Sequence, residues 1–139
     1  MGLQGSLDNG LVPLTIFTLF HLTQQLQNQR DGQYQVTYKV QLSFLQLYLD
    51  KIEDLLNPGS GRKLVKRNGE TLVEDLVYAE VSSEEEALLL IKTGLKYRQT
   101  GKQNLNANSS RSHTILSVVV NKYIEDLSTG QCDLTVKQL

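Results

Sequence analysis

YQVTYKVQLSF, residues 34–44, alternates without a break. Tyr34, Val36, Tyr38, Val40, Leu42 and Phe44 share one phase; Gln35, Thr37, Lys39, Gln41 and Ser43 share the other. Successive side chains of a strand point to opposite faces, so this period of two predicts a β-strand with one apolar face. Leu45, Leu47 and Leu49 then add apolar residues in the opposite phase. The second half of the run is therefore expected to be covered on both faces.

On the N-terminal side, residues 1–10 carry three glycines and read as a loop. Pro13 stands where a first helical residue would, and its fixed φ suits that position. Ile16, Phe17, Phe20 and Leu26 then recur at helical spacing, and Asp31-Gly32 closes the helix. On the C-terminal side, Ile52 to Leu56 reads as one helical turn and NPGSGR, residues 57–62, as a surface turn. Residues 63–81 suggest a hairpin around Asn68-Gly69. Ser83 and Glu86 match a helix capping box, and Glu84, Glu85 and Glu86 favour the positive end of a helix dipole. Ala87, Leu88, Ile91 and Leu95 mark that helix's buried face. After a polar run over 99–113, strands are expected at about 114–124 and 131–139, joined by a turn at Ser128-Thr129-Gly130. Cys132, Leu134 and Val136 alternate and are expected to be buried. Helices mixed with strands predict an α/β fold. The last strand runs to the final residue, which reads as a cut through a larger domain.

Composition bounds the rest. A chain of 139 residues has room for one compact domain. Its net charge of -1 creates no global field toward nucleic acid or an anionic membrane. A single cysteine, Cys132, rules out an internal disulfide and fits a reducing compartment. No apolar run approaches the length of a membrane span, and MGLQGSLDNG lacks the features of a secretory signal. Gly2 and Ser6 match the short myristoylation pattern, which an internal methionine would make meaningless. His21, among apolar residues and with no acid or nucleophile at a fixed spacing, reads as a packing residue.

The chemistry-bearing segment is NANSSRSHT, residues 106–114. Serine hydroxyls and backbone amides are donors for a phosphate. A hydroxyl oxygen is also a ligand that magnesium accepts. An arginine pairs bidentately with a carboxylate or a phosphate. The loop has the chemistry to sense a nucleotide's terminal phosphate. The same residues are those any solvated loop favours, so chemistry alone leaves both readings open.

Asn106 to His113 resembles the switch I motif of kinesin motor domains, N-x-x-S-S-R-S-H, at every fixed position. Myosins carry a related loop, but with Phe-Gly after the arginine, where this chain has Ser112-His113. GLVPL, residues 10–14, is similar to the family's G-I-I-P-R. SFLQLYLDKIEDLL, residues 43–56, is similar to its S-Y-L-E-I-Y-x-x-x-x-x-D-L-L, and Gly94 and Arg98 keep its G-x-x-x-R spacing. The departures are Leu14 for an arginine, Gln46 for a glutamate and Gln103 for a threonine. They mark a divergent member and leave the nucleotide-sensing positions intact.

The resemblance implies a P-loop NTPase fold with a mixed central sheet flanked by helices. It also implies ATP with Mg2+, a microtubule partner, and a place in the cytoplasm on the cytoskeleton. Ser110 would supply a magnesium-side hydroxyl, Asn106 and Ser109 would bond toward the γ-phosphate, and Arg111 would pair with a switch II glutamate. His113 would anchor the loop. Arg62, Lys63, Lys66 and Arg67 lie where the family contacts tubulin, although an ordinary solvated hairpin would look the same. The 139 residues hold no G-x-x-x-x-G-K-[ST] and no D-x-x-G of the switch II kind. Residues 1–139 are thus expected to be the part of a motor domain between Walker A and switch II, inactive on its own. The alternative is a non-catalytic kinesin-like relic that binds tubulin without hydrolysis.

Overall fold

The computed structural model describes residues 10–28, 32–59, 61–100 and 112–138. Helix α1 spans Leu11–Asn28 and α2 spans Glu84–Thr100. The strands are β1 Tyr34–Tyr48, β2 Lys51–Asp54, β3 Leu64–Arg67, β4 Glu70–Val73, β5 Ala79–Val81, β6 Ser112–Asp126 and β7 Cys132–Gln138. The larger sheet runs β2-β1-β6-β7, with β5 also on β1, and β3 and β4 form a separate hairpin. Every pairing among these strands is antiparallel.

The alternating run is the spine of the sheet. β1 pairs with β6 along its whole length, from Tyr34 opposite Asp126 to Tyr48 opposite Ser112. Its other edge is shared, with β5 beside Val40–Leu42 and β2 beside Leu45–Tyr48. The helices cover the Val40, Leu42 and Phe44 face, where Ile16, Ala87, Ile91, Leu95 and Val118 complete the core. Leu42 through Gln46 are all buried, so the second half of β1 is closed on both faces as its residue pattern predicts. Burying a side chain the size of Phe44 contributes roughly 1.5–3 kcal/mol.

The turns follow their residues. Asn68 and Gly69 both have positive φ, 53° and 81°, which the twist of a two-residue hairpin requires. At the start of α2, the Glu86 amide donates to Ser83 Oγ at 3.1 Å. The Glu86 carboxylate reaches back one residue further than the motif implies and accepts from the Ser82 amide at 3.0 Å. Gly130, with φ 73°, closes the β6–β7 turn.

Three expectations fail. Ile52 to Leu56 does not form a helical turn; Lys51–Asp54 is a strand whose Ile52 lies opposite Leu47. The spacing of Ile52, Leu55 and Leu56 mimics a helix, but a free edge of β1 offers a full set of backbone partners. Cys132, Leu134 and Val136 lie on a strand but are not buried: all seven residues of β7 are exposed, because no layer among the described residues covers that end of the sheet. His21 is exposed too, stacked on Phe17 with ring centroids 5.9 Å apart and bonded to Gln25 at 3.2 Å. No helix of the described residues is long and apolar enough to cross a membrane.

Candidate functional site

Asn106, Ser109, Ser110 and Arg111 lie outside the described residues, as does Gln103. The structure does describe the two ends between which they run: the last turn of α2 and the first residue of β6. Arg98 Nη2 donates to Ser112 Oγ at 2.8 Å, joining those ends directly. Ser112 is buried and sits opposite Tyr48 at the far end of the β1–β6 ladder. His113 follows on β6, exposed and opposite Leu47.

Gly94 fixes how closely α2 approaches the sheet. A Cβ there would lie 2.7 Å from Phe44 Cδ2 and 3.3 Å from Leu55 Cβ. Only a residue without a side chain permits that contact. Four residues later on the same helix face comes Arg98, so the glycine positions the arginine. The G-x-x-x-R spacing therefore has a physical meaning: close approach first, then a guanidinium delivered to the start of β6.

The segment 43–56 supports the same end of the molecule. Ser43, Phe44, Gln46, Asp54 and Leu55 are each at most 2% exposed. Asp54 is a buried carboxylate that accepts from the Leu56 amide at 2.9 Å and the Val77 amide at 2.8 Å. It ties the end of β2 to the stretch leading into β5. Reading this stretch as a helical turn hid that role; the signal was the D-L-L that closes the motif. Gln46, where the family carries glutamate, is fully buried between Glu53 of β2 and Thr114 of β6. Leu14, in place of the family's arginine, is 61% exposed on α1.

The four basic residues at 62–67 are not equivalent. Arg62 is half-buried and structural: its amide bonds to the Ile52 carbonyl at 2.8 Å and its Nη2 to the Asn57 carbonyl at 3.2 Å. Lys63, Lys66 and Arg67 are exposed. Register sets Arg67 opposite Glu70 and Lys66 opposite Thr71. Lys66 is thus the cation with no acid directly across the hairpin.

A separate cleft of about 430 Å³ opens between α1 and the start of α2, lined by Phe17, Phe20, His21, Tyr38, Lys39 and Glu84 among others. It contains none of the residues the sequence singles out for nucleotide or tubulin. Among the described residues, no group of His, Cys, Asp and Glu side chains converges to hold a metal ion.

A sheet spined by β1 and β6 with helices on one face is an α/β arrangement that fits a fragment of a P-loop NTPase fold. The comparisons make the family specific. The kinesin motor domain family matches residues 1–138, and the chain belongs to it. It is 32% identical over 133 residues to Kinesin-related protein 5 of Dictyostelium discoideum, covering 94% of this chain and 13% of that protein. It is 33% identical over 125 residues to Kinesin-like protein KIF13A of Mus musculus, covering 87% of this chain and 7% of that one. A solved structure described as a fast kinesin superposes with a TM-score of 0.70 at 23% identity, over 94% of this chain and 35% of that one. The chain therefore spans a minor part of the length of the relatives it matches.

Proposed function

We propose that these 139 residues are the central part of an ATP-driven microtubule motor, carrying its switch I nucleotide-sensing loop. The observation that carries the reading is the run Asn106 to His113, which matches the family motif at each fixed position. It is supported by the Arg98–Ser112 bond at the base of that run. In this reading Asn106 and Ser109 bond toward the γ-phosphate, Ser110 gives magnesium a hydroxyl oxygen, and Arg111 pairs with a switch II carboxylate. The donor set fits one side of a magnesium nucleotide: hydroxyls, an amide and a guanidinium, with no lysine-bearing phosphate loop in the sequence. Bound Mg-ATP supplies the phosphoanhydride and the charge that the loop senses. This chain's residues orient and report on that charge; holding the nucleotide falls to the remainder of the motor domain.

The polymer partner is microtubules, in the cytoplasm and on the cytoskeleton. Tubulin is acidic, and Lys63, Lys66 and Arg67 present positive charge on an exposed hairpin. Arg62 contributes by holding the hairpin's base. Nucleic acid is not a partner in this reading.

The test uses a longer polypeptide that adds a G-x-x-x-x-G-K-[ST] loop and a D-x-x-G segment to this chain. Microtubule-stimulated ATP hydrolysis is expected, and Ser110→Ala lowers kcat by about a hundredfold or more. Residues 1–139 alone show no turnover. Hydrolysis that survives Ser110→Ala unchanged removes the switch I assignment. The second reading is a relic that binds tubulin without hydrolysis. Tubulin binding with no turnover in the longer polypeptide would select it.

A further inference from the structure

Of the three departures from the family pattern, Leu14 is exposed and Gln103 lies outside the described residues, but Gln46 is fully buried on β1. Its surroundings follow from two contacts of α2. Gly94 lies against Phe44, where an added Cβ would be 2.7 Å from Cδ2. Arg98, one helical turn on, reaches Ser112, which stands opposite Tyr48. Phe44, Gln46 and Tyr48 share one face of β1, as alternate residues of a strand do. Directly opposed residues share a face as well, so Ser112 and Thr114 lie on the same side of the sheet. The two contacts show α2 advancing along β1 from Phe44 toward Tyr48. Four residues of helix advance about 6 Å, and two residues of strand about 7 Å. Arg98 therefore comes level with Gln46, and its side chain passes the Gln46–Thr114 rung to reach Ser112.

A glutamate on that rung, the residue usual in the family, would set a buried carboxylate beside the guanidinium. A buried charge persists only when it is paired. A carboxylate binds a guanidinium through two parallel N–H···O bonds, which a single hydroxyl oxygen does not match. It would draw Arg98 away from Ser112. Glutamine has the same shape without the charge, and in this chain Arg98 Nη2 stays on Ser112 Oγ at 2.8 Å.

We propose that Gln46 and Arg98 act together as positioning residues for the serine loop. Neutral Gln46 leaves the guanidinium to Ser112, and that bond fixes the point at which the loop enters β6. Ser112 directly follows Arg111, so a displaced Ser112 displaces Ser110 and Arg111 with it. A shift of about 1 Å in a reacting site costs about a hundredfold in rate. The functional half of this inference rests on the switch I reading of residues 106–113; the bond does not.

Hydrogen exchange on the chain reads the bond without nucleotide. Ser112→Ala and Gln46→Glu each speed amide exchange over residues 112–114 by about tenfold, and exchange at residues 40–44 stays as in the wild type. The double variant is no faster than either single one, because both changes remove the same bond. Circular dichroism verifies the fold of each variant, and Arg98→Ala with Ser112→Ala gives the same non-additive cycle without a new buried charge. In the longer motor polypeptide, Ser112→Ala and Gln46→Glu lower kcat by about tenfold or more and leave KM for ATP within about twofold. Exchange that Gln46→Glu leaves unchanged, or effects that add in the double variants, overturn the proposal. If Ser110→Ala abolishes hydrolysis while Ser112→Ala and Gln46→Glu do not slow it, the switch I reading stands and this proposal falls. If Ser110→Ala is silent, the switch I reading falls and the positioning role falls with it.

Discussion

Gly94 sets how closely α2 approaches the sheet. In an exposed helix, replacing it with alanine would favour folding by about 0.8–1.0 kcal/mol. Here the new methyl would meet the fully buried Phe44 ring at 2.7 Å. Overpacking of a closed core costs roughly 1–3 kcal/mol, and the helix must also lift at the point that delivers Arg98 to Ser112. Gly94→Ala is therefore expected to lower the urea midpoint. An unchanged or raised midpoint would show that Phe44 can move aside. Leu49 offers the opposite case. It has φ 52° in the two-residue turn between Tyr48 and Lys51. A left-handed conformation costs an L-residue roughly 1–2 kcal/mol, and Leu49 is 59% exposed, with little packing to lose. Leu49→Gly should stabilise the chain by about 0.5–1 kcal/mol, after the added entropy of the unfolded glycine is subtracted. Chemical denaturation of both variants against wild type separates the two arguments.

At the scale of elements, the legible parts of the fold are those whose cause is local. The period of two in β1, the Asn68-Gly69 turn and the Ser83–Glu86 cap are complete in their own residues, and each is observed. β2 was not legible, because KIED carries no strand period and becomes a strand only when β1 offers it a partner. The strand character of β7 was legible, but its burial was not, since burial depends on a layer that the pattern of one strand does not encode. The candidate site divides the same way. The identity of the serine loop lies in a contiguous motif. The Arg98–Ser112 bond that closes its base joins residues fourteen apart and is visible only in three dimensions. Likewise, the four basic residues within 62–67 look alike until hydrogen bonding and register separate the structural Arg62 from the exposed Lys66. Lys66→Glu in the longer motor polypeptide should therefore weaken microtubule co-sedimentation more than Arg67→Glu, whose charge is partly answered by Glu70. The difference should shrink as salt rises. Equal losses would indicate that the hairpin acts as a diffuse charge. The β6–β7 turn makes a pH prediction. Asp126 accepts from the Ser128 hydroxyl at 2.6 Å and amide at 2.9 Å, and these bonds hold its carboxyl below the usual carboxylate range. The folded pKa lies below the unfolded one. The turn is thus fully stabilised above the ordinary carboxylate value and loosens as pH falls through the lowered one. Amide exchange at Ser128 followed downward in pH reads this directly, and Asp126→Asn should abolish the pH dependence.

At the scale of the whole molecule, the exposed apolar surface of the described residues is organised. Leu11, Leu14, Phe17, Leu22 and Leu26 are all more than 40% exposed on α1, although that helix also contributes Ile16 to the core. A helix apolar nearly all round is normally buried on more than one side. Heat capacity measures the consequence. Unfolding raises it in proportion to newly exposed apolar area, about 12–15 cal/mol/K per residue for ordinary domains. For 139 residues that is roughly 1.7–2.1 kcal/mol/K. Side chains already in water in the folded state add nothing to this quantity. Calorimetry on the chain, at concentrations where it is monomeric, should therefore give a value clearly below that range, with a correspondingly shallow dependence on urea. A longer polypeptide that supplies more of the motor domain should bring the value per residue back to the ordinary range, because it covers α1 and the open end of the sheet. A full-sized heat-capacity change from the chain alone would mean that the exposed row on α1 is already covered in solution.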